Sequence, residues 1–234
     1  MKRVRLMGGL LAVCMLFSMA GCVENETQQA EEQGADQSSA QVGSYITLGS
    51  YEQDKDASDG KEPIEWLVLA TEGDKALVVS RYCLDCQPYN TEYGDLTWET
   101  CSLRTWLNTT FLNEAFSAEE QSSIINATIV NDPNPMYPDT PSGNDTTDQI
   151  FLLSVTEVEK YFDSDSAREC DPTKSAVAHG VYVRDGNTTC YWWLRSPGDM
   201  SNSAVCVGFD GSWNNVPYVH SDVNGIRPAM WINI

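Results

Sequence analysis

β-prone runs stand at both ends of residues 43–234 with helical periodicity between them, and that order restricts the fold more than any other feature. Residues 45–48 are short and β-prone. Residues 63–70 and 76–80 are apolar β-rich runs joined by Thr71-Glu72-Gly73-Asp74-Lys75, with Gly and Asp where a hairpin turn needs them. In the middle, Leu103, Trp106 and Leu107 repeat at helical spacing, and Phe111, Leu112, Ala115 and Phe116 extend the pattern. Ser117-Ala118-Glu119-Glu120 has the form of a capping box and predicts a short helix ending near Ile125. Residues 150–153 predict a buried strand, after which Thr156 to Glu159 caps a helix burying Val158, Tyr161 and Phe162. Residues 190–195, 204–209 and 226–234 are the late strands, separated by Gly, Ser, Asn and Asp. Residues 131–148 form a long aperiodic loop rich in Pro, Asp and Asn. The sum predicts an α+β domain.

The first residues belong to a different kind of segment. Lys2, Arg3 and Arg5 precede an apolar run from Leu6 to about Phe17, and Ser18-Met19-Ala20-Gly21-Cys22 follows. That run is shorter than the roughly 20 apolar residues a membrane span needs. It has the form of a secretory signal and is set aside from the fold. Small residues before a cysteine resemble the lipobox of bacterial lipoproteins, which implies cleavage after Gly21 and lipidation of Cys22. Two or more acyl chains on that cysteine would anchor the protein stably at the extracytoplasmic face of the cell membrane. Residues 22–42 are Glu, Gln, Ala, Ser and Asn with almost nothing apolar, the composition of a tether. Residues 43–234 then make one domain of ordinary size.

Charge narrows the partners. The chain carries a formal −20, and losing residues 1–21 removes three of its 14 cations and none of its 34 acids. Such a surface repels phosphate backbones and anionic headgroups, so nucleic acid is excluded and the membrane is met only through the anchor. Six cysteines remain in the domain: Cys83, Cys86, Cys101, Cys170, Cys190 and Cys206. An even number in an exported domain predicts disulfides, although in an anaerobe the same six would stay thiols. Spacing does not choose among the pairings. Cys83-Leu84-Asp85-Cys86 has the spacing of a redox pair but lacks the following helix that lowers a thiol pKa, so a structural role is expected.

Several segments together carry a family resemblance: Pro63 to Leu69, Thr97-Trp98-Glu99, Leu103-Arg104-Thr105-Trp106-Leu107-Asn108 and Phe151-Leu152-Leu153-Ser154. The most specific are Trp192-Trp193-Leu194-Arg195-Ser196-Pro197-Gly198 and Gly225-Ile226-Arg227-Pro228-Ala229-Met230-Trp231. In this order they resemble a family of bacterial surface proteins of unknown function common in Firmicutes. The C-terminal pattern is similar to C-type-lectin-like domains, including relatives of formylglycine-generating enzymes and the variable proteins of diversity-generating retroelements. The resemblance implies a fold whose two termini meet in one sheet, with helices flanking it and ligand bound by loops between the late strands.

Those loops, 199–222, display Asp199, Asn202, Asp210, Trp213, Asn214, Asn215, Tyr218, His220 and Asp222. Aromatic rings offer contact area at low entropic cost, and amides and carboxylates take hydroxyls, a mixture common to binding surfaces. The expectation is non-catalytic binding of an extracellular saccharide, peptide or cell-surface ligand. Trp213-Asn214-Asn215 is similar to the Trp-Asn-Asp calcium motif of true C-type lectins, but an amide replaces the carboxylate, which weakens any Ca²⁺ site. No cofactor is therefore expected. Asp132, Asp139, Asp145 and Asp148 offer a second set of cation ligands, or simply solvated charge. Alternative functions are that of a diversified variable protein of a diversity-generating retroelement, implied by the resemblance of the C-terminal segment, and oxidative thiol chemistry at Cys190 and Cys206, which otherwise predict a bridge between neighbouring strands. No hydrolase or phosphate-binding motif occurs, and neither His179 nor His220 is singled out. Arg195 and Arg227 are each expected to pair with a carboxylate at a strand end.

Overall fold

The computed structural model describes residues 40–213 and 215–234, so the expected signal segment, Cys22, nearly all of the tether and Asn214 lie outside them. The strands are β1 (Tyr45–Tyr51), β2 (Glu62–Glu72), β3 (Lys75–Ser80), β4 (Asp85–Cys86), β5 (Ala127–Ile129), β6 (Thr146–Asp148), β7 (Trp192–Pro197), β8 (Ala204–Val207), β9 (Gly225–Ile226) and β10 (Ala229–Asn233). The helices are α1 (Ser102–Trp106), α2 (Leu112–Ala115), α3 (Ala118–Ser123), α4 (Val155–Tyr161), α5 (Asp165–Arg168) and α6 (Lys174–His179). A π-helical stretch, Leu107–Phe111, joins α1 to α2. The domain is α+β, as the order of periodicities predicts. No helix among the described residues is long and apolar enough to cross a membrane.

One antiparallel sheet runs β1-β2-β3-β10, so the first and last strands share a sheet and stand at its two edges. On β2 the alternate side chains Ile64, Trp66 and Val68 are buried, the period of two that one covered face requires. Trp66 fixes the β1 edge by donating its indole N–H to the Leu48 carbonyl at 2.8 Å. A second sheet runs β4-β9-β7-β8, with β7 and β9 parallel and the other pairs antiparallel. All of β7 is buried.

Four expectations are corrected. Residues 226–234 are two strands: Pro228 has no N–H to continue a ladder, and the chain crosses there from the second sheet to the first. Residues 150–153 are fully buried, but only Phe151 pairs, exchanging hydrogen bonds with Ala229. The α4 cap is Ser154, two residues earlier than expected: its Oγ accepts the Glu157 N–H while Glu157 accepts the Ser154 N–H. The 131–148 loop closes on β6, which pairs with β5, and inside it Asn134 is buried with its amide on the Pro197 carbonyl at 2.7 Å. The Ser117 capping box forms as expected and starts α3.

Candidate functional site

The two most family-like segments are framework. Trp192 and Trp193 are buried and donate their indole N–H groups to the carbonyls of Arg168 and Gln87. Arg195 is 4% exposed and grips both carboxylate oxygens of Glu157, while also donating to the carbonyls of Leu152 and Val130 at 2.8 and 3.0 Å. Ser196 Oγ accepts the N–H of Val155, one of the orphan amides at the start of α4. Gly198 has no room for a side chain, since a Cβ there would lie 2.3 Å from Ser203 Oγ. Arg227 departs from expectation. It pairs with no carboxylate among the described residues, donates to the carbonyls of Ser80 and Arg168, and lies over the rings of Trp192 and Phe162.

This frame supports the 199–222 loops, whose residues divide into groups. Asn202, Tyr218 and His220 converge on Tyr93, a residue no local pattern marked. Asn202 donates to the Tyr93 hydroxyl at 2.6 Å. The rings of Tyr93, Tyr218 and His220 contact one another with centroids 5.3 to 6.0 Å apart. Tyr93 is 60% and Tyr218 49% exposed, and His220 is exposed as well. The backbone holds them: Val219 donates to the Asn202 carbonyl and Asn90 to that of Val219. Asn215 lies elsewhere, beside a cleft of about 270 Å³ with Tyr182, Tyr191, Pro217, Val223 and Asn224.

The remaining expected residues serve the loops themselves. Asp199 accepts from Ser203, and Asp210 accepts the N–H and hydroxyl of Ser212, which holds its carboxyl below the usual range. Trp213 is partly buried and packs against the core. Asp222 is exposed, and its carbonyl accepts the Cys86 thiol at 3.1 Å. Asn214 lies outside the described residues. In the other acidic loop Asp148 is buried and fully engaged by Trp98, Arg104 and Thr146, and Asp145 caps the Asn131 amide. Glu52, Asp54 and Glu62 bring carboxylate oxygens within 4.8 Å, but their oxygens hold amides of the same loop.

The cysteines are thiols here, and their neighbours differ from those expected. Cys206 stands opposite Trp193 in the β7–β8 ladder, three residues from Cys190. That offset amounts to about 10 Å of strand, beyond disulfide reach. Cys83 instead lies 3.5 Å from Cys170, sulfur to sulfur, and also neighbours Cys190. In extended chain an odd spacing turns side chains to opposite faces, so Cys83 and Cys86 do not form a pair. Mild oxidation followed by peptide mapping is expected to yield a Cys83–Cys170 crosslink and no Cys190–Cys206 crosslink.

Burial, reinforced by the Asp85 and Asp222 carboxylates, pushes the Cys86 thiol up to about 12, and burial takes Cys101 to about 12 as well. Both exceed the ordinary 9.0, so the fold favours the neutral thiols. This stabilisation is complete below pH 9 and is lost as pH climbs from there toward 12. At pH 8 native Cys86 should therefore react with iodoacetamide about 1000-fold more slowly than in the urea-unfolded chain. Comparable rates in the two states would contradict this.

Searches of curated proteins and of solved structures find no match to the chain. The family described as a domain of unknown function, DUF6273, matches residues 73–234, a span that includes both framework motifs, the aromatic face and every cysteine of the domain. The chain belongs to the DUF6273 family.

Proposed function

We propose that this protein is an exported lipoprotein, anchored through lipid on Cys22, whose domain binds an extracellular ligand with the face formed by Tyr93, Asn202, Tyr218 and His220. The observation that carries the reading is three exposed, mutually packed rings with an amide bonded to one of them. Leaving such rings in water costs apolar hydration that a stacked ligand would recover. Because the rings brace one another, little side-chain entropy remains to be lost on binding. Sugar C–H faces stack on rings of this kind while their hydroxyls meet the phenol, imidazole and amide groups, and peptides with aromatic side chains have matching chemistry.

A C-type-lectin-like architecture agrees with this reading. Its supports are the sharing of one sheet by β1 and β10, the helices between the strand sets, and the placement of the aromatic face on loops of the second sheet. The net charge of −20 favours neutral or cationic ligands over anionic ones. The test is a screen of the purified protein against glycans and cell-wall fragments, with and without calcium. Binding to a neutral saccharide or peptide is the expected result, unchanged by calcium. Absence of binding by the correctly folded protein across the panel would overturn it.

A further inference from the structure

His179, left without a role by the sequence, is an acid–base group held against a buried carboxylate. It is the last residue of α6, and two devices place it. At the start of the helix, Thr173 donates its N–H to the Cys83 carbonyl, and Ser175 donates its N–H to the Gln53 carbonyl, tying α6 to the residues just before β4 and to the β1–β2 loop. At its end, Gly180 adopts φ +122°, a conformation only glycine takes readily, and stops the helix so that the imidazole turns onto β4.

There His179 Nδ1 lies 2.7 Å from Asp85 Oδ1. Asp85 is buried, its Oδ1 also accepts the Cys86 N–H, and its Oδ2 accepts the Tyr51 hydroxyl at 2.6 Å. A carboxylate surrounded by donors is itself only an acceptor, so Nδ1 carries the proton. In the neutral ring Nε2 then holds a free lone pair. The imidazole is 54% exposed and borders a cleft of about 330 Å³ lined by Glu52, Lys55, Ala57, Ser175 and Ala178. Lys55 forms no ion pair among the described residues and is the one non-glycine residue among them with positive φ, +71°. The titratable groups around the imidazole are Asp85 with Tyr51 behind it, Cys86 beside them, and Glu52 and Lys55 lining the cleft.

We propose that this cleft is a hydrolytic site for small neutral carboxylic esters, with His179 as general base, Asp85 as the residue that positions it and Lys55 as the cation for the developing oxyanion. Ser175 shares the cleft but makes no hydrogen bond to the imidazole, so the proton removed is that of a water. Nε2 takes that proton while the water oxygen bonds to the acyl carbon, and the carbonyl π pair moves onto oxygen near the Lys55 ammonium. The tetrahedral adduct reforms its carbonyl by breaking the bond to the alcohol oxygen, which receives the proton from the imidazolium. Ester and water become carboxylic acid and alcohol, with no redox partner. A neutral ester fits because the acidic chain repels anions.

The experiment uses full-length protein and p-nitrophenyl acetate. The rate above background is expected to fall at least 100-fold in both His179→Ala and His179→Gln, and the parent's pH dependence to be lost with the imidazole. Asp85→Asn, which keeps the shape, should lower the rate and displace the pH profile, a response that loss of packing alone would not give. A His179→Gln variant as active as the parent, or one that keeps the parent's pH profile, would overturn the proposal. Thermal melting of each variant separates loss of fold from loss of the base. Since this cleft shares no residue with the Tyr93 face, failure here leaves the binding reading untouched.

Discussion

Replacing Arg195 with Met is expected to destabilise the domain by about 3–5 kcal/mol, measured by urea unfolding. The guanidinium is buried and bridges three parts of the chain: Glu157 on α4, the Leu152 carbonyl ahead of it and the Val130 carbonyl after β5. Methionine fills much of the volume but leaves the Leu152 and Val130 carbonyls without donors and Glu157 with only the Ser154 N–H. Glu157 also closes the α4 capping box, so its displacement would loosen the start of that helix. The conservative Arg195→Lys should recover only part of the loss, because one ammonium cannot reproduce the planar, two-pronged contact. A Met variant within 1 kcal/mol of the parent would show that the pair costs as much to desolvate as it returns.

Trp193→Ala is expected to cost a similar 3–5 kcal/mol, the range for removing a large buried aromatic side chain. Trp193 is 0% exposed, the second residue of β7. Its ring meets Tyr89 edge-on at 5.5 Å, and Tyr89 in turn contacts Trp98 at 6.1 Å. Its N–H satisfies the Gln87 carbonyl, and the Tyr89 hydroxyl satisfies the Arg195 carbonyl. The truncation opens a cavity and removes the indole donor of the Gln87 carbonyl. Trp193→Phe should cost clearly less, keeping the ring while losing the N–H. The two substitutions assign the Trp192–Gly198 segment to stability, and unfolding curves close to the parent's would contradict that assignment.

How much of this was legible in the sequence depended on whether the deciding interactions were local. The β2–β3 hairpin was readable because alternation and turn chemistry agree within a few residues, and the Ser117 cap because its partner Glu120 is three residues away. The α5 and α6 helices were missed because four and six polar-rich residues complete too little of an apolar period. Residues 150–153 looked like a strand because a short apolar run reports burial and says nothing of pairing. The crossing at Arg227-Pro228 could have been found, since a proline inside a predicted central strand argues against continuity.

For the site, the residue types were readable and their directions were not. Tyr218, His220 and Asn202 were legible as a displayed polar-aromatic group, but their partner Tyr93 is 109 residues from Asn202 and has no local signal. Trp213 belonged to the same composition, yet part of it packs against the core, which no local pattern shows. The cysteines repeat the lesson: sequence counted them, and the pairing of Cys83 with Pro172 ahead of α6 brought Cys83 to Cys170. His179 was anonymous for the same reason, because Asp85 lies 94 residues earlier.

The most direct test of the central claim is the affinity of a Tyr93→Ala, Tyr218→Ala double variant for whichever saccharide or peptide the screen identifies, compared with the parent by calorimetry. Both rings are exposed, so the variant should melt at nearly the parent temperature. Truncating two central aromatic contacts is predicted to weaken binding at least 100-fold. A folded variant that binds as tightly as the parent would contradict the account and move the ligand site off this face.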